Sequence, residues 1–257
     1  MFALVALVLA APLPFQALAP GVEYAAVKWI ERPSSVDGML HVVRIDPAQA
    51  DLQFGLSLKQ GGGNRTAGRW ADDLGFTAVI NAGMYETDYA SNVGYLRSGE
   101  HLNQVRWNKY QSVFAFAPGK AAMFDLDAPG SKDQAKAFSD VVQNLRLIKA
   151  SGERNVWKPT ARRWSEAAVA TDTRGRVLFL FSRSPLTMSE FNDKLLALPL
   201  EIARAMHVEG GPEASLSIRA KGLKLDLCGS YETGFRPDDS NTAQWDLPNV
   251  IGVRPRP

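Results

Sequence analysis

Cysteine is almost absent. The 257-residue chain carries one, Cys228, which excludes an internal disulfide framework and a cysteine-rich zinc site. Flanked by Leu225-Asp226-Leu227, it reads as a core filler rather than a nucleophile. Histidine is nearly as scarce: His41, His101 and His207 show no His-Glu-x-x-His or His-x-His spacing, so no histidine zinc motif is present. No Gly-x-Ser-x-Gly segment occurs, which disfavours a typical serine hydrolase. Charge of one sign is missing too. The 29 Lys and Arg against 27 Asp and Glu leave a net +2, which argues against nucleic acid as a partner held by charge. There is no internal repeat. Gly61-Gly62-Gly63 lacks the Gly-Lys-Ser/Thr ending of a phosphate loop and reads as a flexible hairpin.

What is present is a globular composition, 46% hydrophobic and 22% charged, with length enough for a sizeable core. Residues 1–19 carry no charged side chain, and Ala17-Leu18-Ala19 precedes Pro20. A short apolar stretch followed by a small-x-small site is the pattern of a secretory signal peptide. The run is about half of the ~20 apolar residues of a spanning helix. The expectation is a signal peptide over 1–19, one domain over 20–257, no transmembrane span in the mature chain, and a periplasmic or extracellular location.

Short β-rich runs fall at 23–30, 40–45, 52–58, 77–81, 113–116, 141–148, 167–171, 176–181, 206–209, 216–218 and 249–253, several alternating in polarity. Three segments read as helix: 66–74 with Thr66 as cap, 131–138 with Ser131 as cap, and 189–198 with Thr187 or Ser189 as cap. Strands outnumber helices without alternating with them. This predicts an α+β single domain, a mixed β-sheet core with a few packed helices. Residues 125–136 read as a surface loop inside that domain.

Three clusters can carry chemistry. Asn81-Ala82-Gly83-Met84-Tyr85 ends a buried strand, so it places an amide and free backbone N–H groups at a sheet rim, or forms an ordinary turn. Glu209-Gly210-Gly211-Pro212-Glu213 sets two carboxylates on one loop. They suit general acid and base work, divalent-cation binding together with Asp172, or merely a solvated turn. Arg162-Arg163-Trp164-Ser165-Glu166 offers an arginine pair suited to phosphate, or a solvated basic turn.

The segments Asn81 to Tyr85, Gln143-Asn144-Leu145-Arg146-Leu147, Asp172-Thr173-Arg174-Gly175-Arg176-Val177, Glu209-Gly210-Gly211 and Leu247-Pro248-Asn249-Val250-Ile251-Gly252, in this order, resemble the phosphodiester glycosidase family. One lysosomal member of that family removes N-acetylglucosamine from a sugar phosphodiester. The resemblance runs over residues 38–254. It implies a carbohydrate or sugar-phosphate substrate and an exported hydrolase, or else a non-catalytic envelope glycan-binding protein on the same fold. Glycoside cleavage needs one protonated and one ionised carboxyl, and the candidate pair is Glu209 and Glu166, with Glu213 as substitute. For substrate binding the candidates are Asn81, Gly83, Tyr85, Arg163, Gly210 and Gly211, with Tyr85 as a stacking face. The family pattern has Asp-Gly-Gly-Gly-Ser where this chain has Glu209 to Glu213, and it has a proline that is missing from the Gln143 segment. It has arginine where this chain has Glu166. Arg163 stands three residues away, an odd offset that points to the other face of a strand. Exchanging arginine for glutamate weakens attraction for an anion.

Overall fold

The computed structural model describes residues 13–31, 37–155, 161–233 and 238–256. The first twelve residues of the expected export segment lie outside that set. Its last residues, Gln16–Ala19, form a strand paired with Val22–Lys28.

Three sheets surround one core. The largest has eight strands. Its middle is Trp164–Asp172, flanked by Val177–Leu186 and Ile202–Gly210. A five-stranded sheet holds Ala78–Asn81 between Ser215–Ala220 and Asn249–Pro255. A second five-stranded sheet is centred on Asp140–Asn144, between Leu96–Ser98 and Ser112–Ala117. Every strand pairing among the described residues is antiparallel. The expected α+β domain with few helices is what the chain forms.

Period-two alternation explains the layering. Ala167 and Val169 face the central core with Phe179, Phe181 and Val208, while Ala168 and Ala170 face a second cluster with Leu178, Leu180 and Ala205. Successive side chains on a strand point to opposite faces, so the alanine-rich Trp164–Asp172 strand supplies two cores. The central core also takes Phe54, Ile80 and Leu216 from one five-stranded sheet, and Phe114, Phe116 and Val142 from the other.

Each sheet carries one helix on its outer face. Met188–Leu196 covers the large sheet through Phe191 and Leu195, and Thr187 closes a capping box with Glu190 at its start. Ala67–Leu74, capped by Thr66, buries Trp70 against Val79 and Val250. Ser131–Lys136 packs through Ala135 against Val113 and Val141. Its N-cap is Gly130, not Ser131.

The expected loop at 125–136 therefore contains that helix, and it begins at the end of the strand Lys120–Asp125. The expected strand at 141–148 is two strands. Asp140–Asn144 belongs to a small sheet and Arg146–Lys149 to the large one, with Leu145 as the crossing point. Extended residues on both sides of Leu145 read alike, so the pattern does not signal a change of sheet.

Close packing at one glycine gives a test. A Cβ at Gly252 would overlap the Phe76 ring, which lies flat on that strand. Gly252→Ala is expected to cost about 1–3 kcal/mol by urea unfolding, and an unchanged midpoint would show that the ring moves aside freely.

Candidate active site

The strands Trp164–Asp172 and Ile202–Gly210 are neighbours, and their register sets Glu166 opposite Gly210 and Ala168 opposite His207. A register shift between Ala167 and Ala168 marks a bulge in this pairing. Such an irregularity re-aims side chains at a sheet end. Here it accompanies His207, Glu209 and Glu166 coming together.

Glu166 is fully engaged. Its Oε1 lies 2.6 Å from His207 Nδ1, and its Oε2 accepts the Trp164 indole N–H at 3.0 Å. Glu166 and His207 are both buried. Burial raises the Glu166 carboxyl, and the His207 charge and hydrogen bond and the Trp164 N–H work against that rise; the two donors suit its ionised, acceptor-only form when His207 Nδ1 carries the proton. Burial pulls the imidazole down, but the Glu166 charge and hydrogen bond, with Glu209 beyond, hold it above its ordinary value. No local motif signals this pairing, because the partners lie 41 residues apart.

Glu209 behaves differently. Burial, first of all, pushes its carboxyl up to about 8; His207 and the Gly210 N–H oppose this, while Glu213 and Glu166 add to it. Glu213, half-buried on the 3-10 turn Gly211–Glu213, is also raised, chiefly by burial. Tyr85 completes the group. Its phenol is held above its ordinary value by burial, then by Glu213, Glu209 and Tyr89.

The other expected site residues hold this loop together. Asn81 donates to Glu213 O at 3.0 Å and accepts from Ser215 N–H at 2.8 Å, so its amide positions Glu213. Gly210 leaves room for Trp164: a Cβ there would sit 2.6 Å from the indole Cδ1. Gly211 has φ of 71°, a left-handed conformation that favours glycine. Gly83 is buried where a Cβ would meet Asn92 and Asn144.

Two expected residues stand apart. Arg163 pairs with Glu190 of the helix Met188–Leu196 at 2.6 Å. Asp172 ends the far side of its strand, where it binds Arg176 at 2.5 Å and the backbone N–H groups of Arg174 and Arg176. Six residues of strand from Glu166 to Asp172 span about 20 Å. Asp172 therefore cannot join Glu209 and Glu213 around a cation, and among the described residues no cluster of three or more such ligands occurs. Cys228 is buried, as expected, with Arg183 donating to its carbonyl at 2.7 Å.

The sequence model for phosphodiester glycosidases matches residues 75–254. The chain belongs to the phosphodiester glycosidase family. That match takes in Asn81, Tyr85, Glu166, His207, Glu209 and Glu213 together. Two solved structures share the fold. One is the catalytic domain of zebrafish N-acetylglucosamine-1-phosphodiester alpha-N-acetylglucosaminidase, auto-inhibited by its pro-peptide. It is 14% identical with a TM-score of 0.66, over 94% of this chain and 86% of that one. The other is a hypothetical protein from Synechocystis, 15% identical with a TM-score of 0.63, over 96% of this chain and 64% of that one. No curated protein is similar enough in sequence to count as a match. Among the described residues no helix is long and apolar enough to cross a membrane.

The buried carboxyl has a thermodynamic signature. Folding lifts Glu209 from an ordinary 4.5 to about 8, so the folded chain holds this proton more tightly than the unfolded chain. That stability is fully present below pH 4.5 and is lost as pH rises through about 8. The raised His207 acts in the same sense. Glu209→Gln is expected to match the parent Tm near pH ~4.5 and to exceed it at pH ~9, at about 2–4 °C per kcal/mol for this size. Equal Tm values at both pH would show that Glu209 ionises freely in the fold.

Proposed function

We propose that the chain is a glycosidase-type hydrolase that cleaves a sugar-1-phosphodiester or a related glycosidic bond of envelope glycans. The observation that carries this reading is the Glu209 carboxyl, raised to about 8 beside a less buried Glu213 on the same loop. Glycoside cleavage uses one protonated and one ionised carboxyl. Glu209 holds its proton near neutral pH and donates it to the departing oxygen as the bond to the anomeric carbon breaks. Glu213, in contact with solvent, ionises more readily and faces the positive charge that develops on the sugar. Water supplies the hydroxyl that completes the product, and its proton passes to a carboxylate.

Glu166 and His207 serve as positioning groups on this reading. Both Glu166 oxygens are already bonded, so it acts on substrate only through the imidazole that it orients.

A neutral glycoside is the second reading. The charges that bear on Glu209 are His207, Glu213 and Glu166, and the arginine suggested by position, Arg163, is turned toward Glu190. Two carboxylates against one imidazole favour an uncharged leaving group over a phosphodiester.

Export is part of the proposal, supported by the apolar, uncharged run of residues 1–19. Secreted protein beginning at Pro20 would support it, and cleavage there would also remove the edge strand Gln16–Ala19. Protein kept inside the cell with Met1 in place would overturn it.

Activity is read with p-nitrophenylphosphoryl-N-acetylglucosamine beside neutral p-nitrophenyl glycosides. Free sugar should appear from at least one of them, with a rate that falls as pH rises through about 8. Glu209→Gln should lower that rate at least ~100-fold while remaining folded. Full activity in the variant removes Glu209 from the chemistry. Saturable sugar binding with no product moves the protein to a glycan-binding role.

A further inference from the structure

Tyr89 is 66% exposed, and its backbone has φ of 55°. A bulky side chain in the left-handed region is a genuine outlier, and such strain persists only where the surroundings impose it. The surroundings here are specific. Asn64 donates to Tyr89 O at 2.8 Å, and Asn249 and Asn103 donate to Ala90 O at 2.9 and 3.2 Å. The Asp88 carboxylate accepts from the N–H groups of Ala90 and Ser91, both at 2.9 Å. Tyr89 N–H returns to Glu86 O at 3.0 Å, and an antiparallel bridge joins Tyr85 to Asn92 at the base of the loop. Three asparagines from separate parts of the chain thus fix two consecutive carbonyls.

The ring on this fixed backbone packs against Tyr85, the residue next to the acids. Its centroid is 6.0 Å from that of Tyr85, at 43°, and Tyr85 in turn feels both Glu213 and Glu209. No core packing explains the outlay, since most of the Tyr89 side chain meets solvent. An exposed aromatic face on a fixed backbone, angled against Tyr85, suits the apolar C–H face of a sugar ring. Tyrosine offers such a face with little side-chain entropy left to lose, and a pre-set backbone reduces the ordering cost of binding.

We propose that Tyr89, angled against Tyr85, is a pyranose-stacking platform that binds one sugar ring of the substrate beside Glu209 and Glu213. The proposal rests on the glycosidase reading for its ligand, and it adds the residue that grips it. Sequence inspection singled out Tyr85 alone. Tyr89 lies in an unremarked polar stretch, and only its backbone angle and exposure set it apart.

The test is calorimetric titration of the full chain carrying Glu209→Gln, so that the probe is not consumed, with di-N-acetylchitobiose. Tyr89→Ala on this background should weaken binding roughly tenfold, and Tyr89→Phe should stay within about twofold of the parent. Tyr89→Gly relieves the strain, so it should lose affinity like the alanine variant while its Tm is no lower than the parent's. Unchanged affinity in Tyr89→Ala overturns the platform, as does a parent that does not bind the disaccharide. A fall in Tm for Tyr89→Gly that accounts for its lost affinity overturns it as well, because the ring would then be structural. Turnover of the p-nitrophenyl substrates by the chain with Glu209 intact is scored separately. Turnover with unchanged Tyr89→Ala binding keeps the hydrolase and removes the platform. Ring-dependent binding without turnover keeps the platform and removes the hydrolase.

Discussion

His207 Nδ1 and Glu166 Oε1 meet at 2.6 Å with almost no access to water, and much of the surrounding architecture follows from keeping that contact. Removing one partner of a buried pair leaves a charge without compensation, at about 3–5 kcal/mol. The strands carrying the two residues must therefore hold their register. The second Glu166 oxygen needs its own donor, which Trp164 provides. The indole then needs a place to lie, and Gly210 leaves it one. The backbone N–H of His207 is also fixed, to Leu145 O at 2.9 Å where the chain crosses between sheets. With the imidazole held at Nδ1 and its backbone fixed, Glu209 lies in a dry neighbourhood beside another acid, and burial first of all keeps its proton on.

Much of the scaffold could be read from the residues. The apolar run at 176–181 signalled the strand Val177–Leu186, and Phe191 and Leu195 at helical spacing after Thr187 signalled the helix Met188–Leu196. The edge strand His101–Gln104 could not be read, because four mostly polar residues carry little periodic signal; Leu223–Cys228 went unread although its Leu-Lys-Leu-Asp-Leu alternation is that of a strand. The site was legible where a local motif carries the chemistry, as with the two acids around Gly210-Gly211. Partnerships formed across sheets were not. Asn81 looked like a substrate ligand, yet its amide is bonded to Glu213 O and Ser215 N–H, contacts that exist only after folding. His207 could be placed on a strand but not beside Glu166. Arg163 looked like a phosphate fork until the helix cap at Glu190 took it.

Membership of the family and divergence within it occupy different parts of the molecule. The three-sheet core repeats that of the zebrafish catalytic domain at 14% identity, which is feasible because alternation and volume specify a core more than identity does. The cluster of Glu166, His207 and Glu209 is where the chain departs from the family pattern. The resemblance leads one to expect an arginine where Glu166 stands, and the structure places a histidine against that acid. An isolated carboxylate buried at this depth would be prohibitive; with His207 and Trp164 around it, the reversal of charge is structurally tolerated.

The asparagine clamp on residues 89 and 90 has an evolutionary side. Asn64, Asn103 and Asn249 grip backbone carbonyls only, so they hold the loop whatever side chain stands at position 89. A mutation there redraws the outer contact surface while the acid loop, anchored separately through Asn81 and Trp164, stays as it was. The fold thus sets an outward-facing side chain on a loop anchored apart from the acids. A lineage could drift toward a new glycan one codon at a time without ever passing through an unfolded intermediate.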